Sequence, residues 1–208
     1  MNAGAAVRPA RVLRRGHAGL AATLTALALL GGCISVGGKA PGMLVSLSAE
    51  KTAPAGALPG GAITDALVVL DPATERKLDM LRIPVQVDDA KIAYLKDAAW
   101  VERPARQFRH LLAETIRARG ARLVIEAGDL TTGGKTTLSG RLIDMGYDAR
   151  SQSVVVRYDA MRDIGGGTIE ARRFESVVPG IGSTADVIAP AINRAANQVA
   201  AQVADWVG

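Results

Sequence analysis

The sequence predicts a single α/β domain: a mixed β-sheet that carries antiparallel strands and is packed by two main helices. Three observations predict it. Three long runs, Thr136 to Tyr147, Ser153 to Met161 and Thr168 to Val177, alternate apolar and polar residues as half-buried strands do. Two further segments repeat apolar residues at steps of three and four, the spacing of helices with one buried face. Their order, strands, helix, strands, helix, departs from the strict alternation of an all-parallel fold. At 208 residues the chain has room for one such domain with a real core.

The elements follow in order. Met43 to Ser48 alternates apolar residues with Ser and reads as a short strand. Ala49 to Ile63 holds Pro54, Gly56, Pro59, Gly60 and Gly61, the composition of a loop. Ala66 to Leu70 is an apolar run stopped by Asp71-Pro72, as an inner strand closed by a turn would be. Arg82 to Val87 reads as a further strand, and Ile92 to Leu95 extends the sheet. Pro104 stands at the first turn of a helix that Gly120 ends, with Phe108, Leu112 and Ile116 at every fourth position. Ala121 to Glu126 reads as a strand. The three long strands come next, joined as a meander through Arg150-Ser151-Gln152 and Gly165-Gly166-Gly167, whose glycines permit the positive φ of tight turns. Val187, Ile188, Ile192, Ala195, Val199, Val203 and Trp206 mark the buried stripe of a C-terminal helix. Pro190 either opens that helix or bends its first turn, because it removes one helical hydrogen bond.

The N-terminus has a different character. Residues 1–32 carry Arg8, Arg11, Arg14 and Arg15 and no acid, and Ala18 to Leu30 contains no charge. A basic leader, a short apolar segment and small residues before a cut form the layout of a secretory signal peptide, and this apolar segment is well short of the roughly 20 residues that span a bilayer. The run Leu30-Gly31-Gly32-Cys33 resembles the bacterial lipobox, which implies cleavage between Gly32 and Cys33 and lipid attachment on the Cys33 thiol. The plainer alternative is a lone thiol packed as a small hydrophobe. Cys33 is the sole cysteine, so neither an intrachain disulfide nor a multi-cysteine metal site can form. Two or three acyl chains make a durable anchor where one does not. Residue 34 is Ile; by resemblance to Gram-negative lipoproteins, in which Asp at that place marks retention at the inner membrane, the periplasmic face of the outer membrane is expected. The expected organisation is therefore residues 1–32 as signal peptide, 33–42 as lipidated tether and 43–208 as the domain. The nine residues Ile34 to Gly42 reach about 30 Å when extended.

The chain's net charge of +5 falls to about +1 once residues 1–32 are removed. A nearly neutral domain with few aromatic residues lacks the charge and stacking surfaces of a nucleic-acid binder. Gly133-Gly134-Lys135-Thr136-Thr137 echoes the end of a phosphate loop, yet Asp129 occupies the required glycine position and a strand pattern follows. His110 is the only histidine beyond the leader and has no companion for a metal site or triad, so it reads as a helix-surface residue. Asp88 with Asp89, and Asp144 with Asp148, are acids beside turns rather than a catalytic pair. Trp100 is weighed as a partner contact against the preferred reading of core packing. The expectation is a protein that is not an enzyme, with no cofactor, catalytic residue or metal ligand.

The lipobox, Arg82-Ile83-Pro84-Val85, Ile92-Ala93-Tyr94-Leu95, Trp100-Val101-Glu102-Arg103-Pro104 entering a helix, and the late run Ala191-Ile192-Asn193-Arg194-Ala195-Ala196-Asn197 occur in this order. Together they resemble the ABC-type transport auxiliary lipoprotein family over roughly Met43 to Trp206. The resemblance implies an α/β sandwich and an outer-membrane scaffold or docking role. Its implied partners are a protein with a mammalian-cell-entry (MCE) domain and, through it, an ABC permease and ATPase that move phospholipids between membranes. Self-association is left open. The alternative is a stand-alone envelope lipoprotein with a structural or ligand-binding role, which gene neighbourhood would distinguish. Metabolic labelling with a clickable palmitate analogue tests the anchor: the wild-type chain should incorporate the label and Cys33→Ser should not, whereas equal labelling of both, or of neither, refutes lipidation at Cys33.

Overall fold

One long strand holds the sheet together from both of its edges. In the computed structural model, which describes residues 1, 41–56, 59–126 and 136–208, residues 41–208 form one compact unit. Its nine strands among the described residues are β1 (Met43–Val45), β2 (Leu67–Val69), β3 (Ala73–Thr74), β4 (Arg82–Gln86), β5 (Ile92–Trp100), β6 (Val124–Glu126), β7 (Thr136–Asp148), β8 (Ser153–Asp163) and β9 (Ile169–Val178). The two helices are α1 (Pro104–Arg117) and α2 (Ala185–Val207). The expected fold class, a mixed sheet packed by two main helices, is the one observed.

Along one edge β7 pairs antiparallel with β8, which pairs antiparallel with β9, completing the expected meander. Along the other edge three short segments run parallel to β7 in succession: β2 at Thr136–Leu138, β3 at Arg141–Leu142 and β4 at Tyr147–Asp148. β6 extends the sheet beyond β2, and β5 then β1 extend it beyond β4. A register shift in β7 between Leu142 and Asp144 changes the alternation, so that Met145 and Tyr147 continue the buried face begun by Leu138 and Leu142.

Both helices cover one face of this sheet. Phe108, Leu111, Leu112 and Ile116 of α1 and Ile188, Ile192, Val199 and Val203 of α2 join Leu138, Leu142, Val154, Val156 and Tyr158 in one core. Phe108 meets Tyr158 edge-to-face, with ring centroids 5.2 Å apart. Burial pushes the Tyr158 hydroxyl well above its ordinary pKa, and the retained proton is donated to Ser139 O at 2.7 Å. At the far end of α2, Arg162 of β8 donates to the free carbonyls of Trp206 and Val207 at 2.9 and 3.2 Å, a cation placed on the negative end of the helix.

Several elements differ in extent from the sequence expectation. The first strand stops at Val45 instead of Ser48, because the chain then leaves the sheet to cross the helices. β3 was not foreseen, having only two residues. β5 runs on to Trp100 instead of ending near Leu95: its charged Lys96-Asp97 pair sits in a bulge, with Asp97 at φ 58°, that breaks the alternation without ending the strand. α2 begins at Ala185, so Pro190 lies inside it. Val187 is exposed and off the buried stripe. Residues 1–32, the tether to Ala40, and Gly133-Gly134-Lys135 lie outside the described residues apart from Met1; Thr136 and Thr137 open a strand, not a helix.

The crossing of β4 and β7 tolerates no side chain at Gly146, where a Cβ would stand 2.4 Å from Pro84 O. Gly146→Ala should therefore destabilise the domain by about 1–3 kcal/mol through overpacking. The drop should appear in the urea midpoint with an unchanged slope. Gly60→Ala, with open space around its Cβ, should leave the midpoint in place.

Candidate functional site

The segment that follows the first strand is fastened by side chains from both helices. β1 is a three-residue strand, parallel to the end of β5, with Val45 opposite Trp100. After Val45 the chain has no further strand partner among the described residues, and its backbone amides need other acceptors. The helices supply them. Gln107 Oε1 of α1 accepts from Leu47 N at 2.8 Å, and Asn193 Oδ1 of α2 accepts from Ser48 N at 2.9 Å. Asn197 Oδ1 then accepts from Glu50 N, and Glu114 Oε1 from Ala53 N, both at 2.8 Å. Residues 46–53 thus form a strap across α1 and α2.

Gln107 and Asn197 are each 6% exposed, and each is satisfied in both directions. Asn197 Nδ2 donates to Ser48 O at 2.8 Å and to Asn193 O at 2.9 Å, and Gln107 Nε2 donates to Glu102 O at 2.6 Å. A bonded buried amide stabilises only modestly, but removing it strands its partners at a cost of about 1–3 kcal/mol. Beside the strap, Glu50, Lys51, Thr115, Arg119 and Asn197 line an open cleft of 380 Å³.

A second polar region binds β6 to α1. Glu126, at the end of β6, is 8% exposed. Its carboxylate meets Arg117 Nη1 at 2.9 Å, Arg109 Nε at 3.2 Å and His110 Nδ1 at 2.5 Å. Burial acts to raise the Glu126 pKa, but the Arg117 hydrogen bond and the charges of His110, Arg117 and Arg109 together hold it below the ordinary carboxylate range. Arg109 also pairs with Asp71 at 3.2 Å. His110 therefore lies on the helix surface, half exposed, with a carboxylate as its partner.

The third region is the sheet face opposite the helices. In the register of β7, β8 and β9, Arg141, Asp159 and Arg173 form one cross-strand row, and Asp144, Arg157 and Glu175 form another. Arg173 grips Asp159 with two bonds of 2.5 and 2.6 Å, which hold that carboxyl below its usual range. Arg157 reaches Asp144 at 2.6 Å and also pairs with Glu175, while Lys77 reaches Asp144 at 2.6 Å. Exposed pairs of this kind add little stability, about 0–1 kcal/mol each.

The acids weighed at the sequence level are committed to turns and ion pairs. Asp88 accepts from Ala90 N and Lys91 N, and those bonds hold its pKa low. Asp89 pairs with Arg150, which also pairs with Asp148. Among the described residues no group of three or more His, Cys, Asp and Glu is placed to hold a metal ion, and no helix is long and apolar enough to cross a membrane. Trp100 is a core residue, 1% exposed, so the reading as a surface contact gives way to core packing; its buried Nε1–H has no partner among the described residues. Gly32 and Cys33 lie outside the described residues. The strap clamps were missed by sequence reasoning: Asn193 and Asn197, one turn apart beside an alanine-rich stripe, mark a polar helix face but not the segment it binds.

A family model described as ABC-type transport auxiliary lipoprotein component matches residues 46–204. No curated protein matches by sequence. Among solved structures, an uncharacterized protein superposes with a TM-score of 0.64 at 14% identity, covering 80% of this chain and 98% of its own. Protein XCC0632 from Xanthomonas campestris, of family DUF330, superposes at 0.63 with 16% identity, covering 79% and 94%. A PelC dodecamer from Paraburkholderia phytofirmans is more distant, with a TM-score of 0.43 at 16% identity over 71% and 91%. The first two share the fold.

Replacing Asn197 with Ala tests the strap. Hydrogen exchange at the amide of Glu50, which loses its acceptor, should accelerate by roughly tenfold or more, corresponding to the 1–3 kcal/mol of a lost buried bond. Amides of β7 and β8 should keep their protection; uniform acceleration throughout the sheet would show that the strap is not a separate unit.

Proposed function

Because the chain belongs to the family of ABC-type transport auxiliary lipoprotein components, with the family model covering residues 46–204, we propose that it serves as a lipid-anchored, periplasmic scaffold or docking component of an ABC/MCE-type system. The match over nearly the whole described domain is the observation that carries this reading. The cargo proposed is phospholipid moving between the inner and outer membranes, and the site of attachment is the periplasmic face of the outer membrane through Cys33. The role is not enzymatic: energy comes from the ATPase of the system, and this chain supplies a fixed surface near the bilayer.

The strap supports the anchoring part of the reading. A chain tethered by lipid at residue 33 meets the domain within nine residues, at Gly42. A pull on that chain acts first on β1, whose three residues provide few ladder bonds. Load passing beyond β1 reaches the strap, whose four side-chain contacts distribute it over α1 and α2. The lipid end and the folded end are thus mechanically continuous.

Crosslinking in cells followed by affinity purification of the full chain tests the partner. An MCE-domain protein should be recovered, together with its permease and ATPase. Recovery of cell-wall or pilus components in their place, or of no transport component under crosslinking, would overturn the assignment.

A further inference from the structure

β9 is a ten-residue strand that, among the described residues, pairs on one side only, with β8. Its register with β8 runs unbroken from Ile169 to Val178, without a bulge, and its sequence contains no proline. A bulge and a proline are two of the means by which a sheet edge is blocked; charged side chains are another, and β9 carries Glu170, Arg172, Arg173 and Glu175, so a strand that joins this edge must match their signs. Its exposed side chains on the sheet face away from the helices are Ile169, Ala171, Arg173, Glu175 and Val177.

The charge pattern selects the strand that fits. One cross-strand row, Arg141, Asp159 and Arg173, arrives at the edge with a positive residue; the next, Asp144, Arg157 and Glu175, arrives with a negative one. An antiparallel second copy of β9, centred on Phe174, sets Arg173 opposite Glu175 of the copy, and Glu175 opposite the copy's Arg173. Each row then continues across the junction with alternating sign through six strands. The flanking pairs become Ala171 with Val177 in both directions, small and apolar against apolar. Moving the centre by one residue sets Arg173 against its own copy or Glu175 against its own copy, and like charges directly opposite are unfavourable. One register is therefore preferred, as it must be for a specific interface.

We propose that β9 pairs antiparallel with β9 of a second copy of this chain, about a two-fold axis at Phe174, joining the two sheets into one. The partner is identified by its own edge: the same surface supplies both sides of the contact, as a two-fold interface requires.

The full chain extracted in detergent tests this with the double variant Ala171→Cys and Val177→Cys. Within one chain these positions lie six residues apart along a strand, about 20 Å, beyond the reach of a disulfide. In the paired register they are directly opposite, about 4.5–5.5 Å apart between Cα atoms. Mild oxidation should give a covalent dimer from the double variant and from neither single variant. In parallel, Val177→Lys, a change at an exposed residue, should raise the dimer dissociation constant by about tenfold or more in sedimentation, with circular dichroism unchanged. A wild-type chain that sediments as a monomer at about 100 μM, far above the micromolar range of a modest interface, would overturn the proposal. So would an oligomer that persists in Val177→Lys and yields no disulfide in the double variant.

Discussion

The sheet depends on how closely β4 can approach β7. Strands of two to five residues do not persist alone, and β2, β3 and β4 are held because a thirteen-residue neighbour offers its whole edge to them. Pro84 has no N–H to donate to that ladder, and the β4–β7 pairing begins only at Val85. The proline instead lays its carbonyl and ring against the backbone of Gly146, where only a hydrogen atom fits. On the other edge Gly140 plays a similar part. At φ 151°, a side chain there would collide with Asp159 O and with the Tyr158 ring that fills the core. Two glycines in one strand thus let both of its edges close.

From that sheet the helical layer gains a fixed base, and the strap is the consequence. Fold and attachment use the same residues: Gln107 and Glu114 lie on the helix that buries Phe108 and Leu112, and Asn197 lies on the helix that buries Ile192 and Val199. The polar clamps are therefore positioned by apolar packing, and any loosening of the helix pair would loosen the grip on residues 46–53. Satisfied buried amides suit this task because they give direction without placing a charge in the core.

How much was legible in the sequence follows from the range over which each signal acts. The meander of β7, β8 and β9 was legible because alternation is local and Arg150-Ser151-Gln152 and the glycines at 165–167 mark its turns. Both helices were legible from their stripes. β5 was underread because the bulge at Asp97 interrupts its period, and β3 because two residues carry no period. The strap was illegible for another reason: Leu47 and Ala53 find their acceptors some 60 residues away, and Ser48 and Glu50 nearly 150 away. No local pattern encodes such a pairing. The charge rows are equally hidden, since alternation of sign exists only once the strand register is known. Trp100 was ambiguous because tryptophan serves cores and interfaces alike, and burial settles it for the core.

The two lateral edges of the sheet have opposite roles. β1, at one edge, is the first strand of the described domain; β9, at the other, lies five strand spacings away, about 24 Å. A two-fold axis between β9 and its copy, normal to the sheet, places the two chain starts at equal height along that axis and about 50 Å apart. If both copies are anchored through Cys33 in one bilayer, both chain starts are held within tether reach of the membrane, about 30 Å, which limits the tilt of the line that joins them. A lone anchored copy has no second point of attachment to set such a line. Orientation at the membrane is then a property of the pair: two attachment points fix the direction of the long axis of the joined sheet, and rotation about that axis is left to the chemistry of its two faces, the strapped helices and the charged rows.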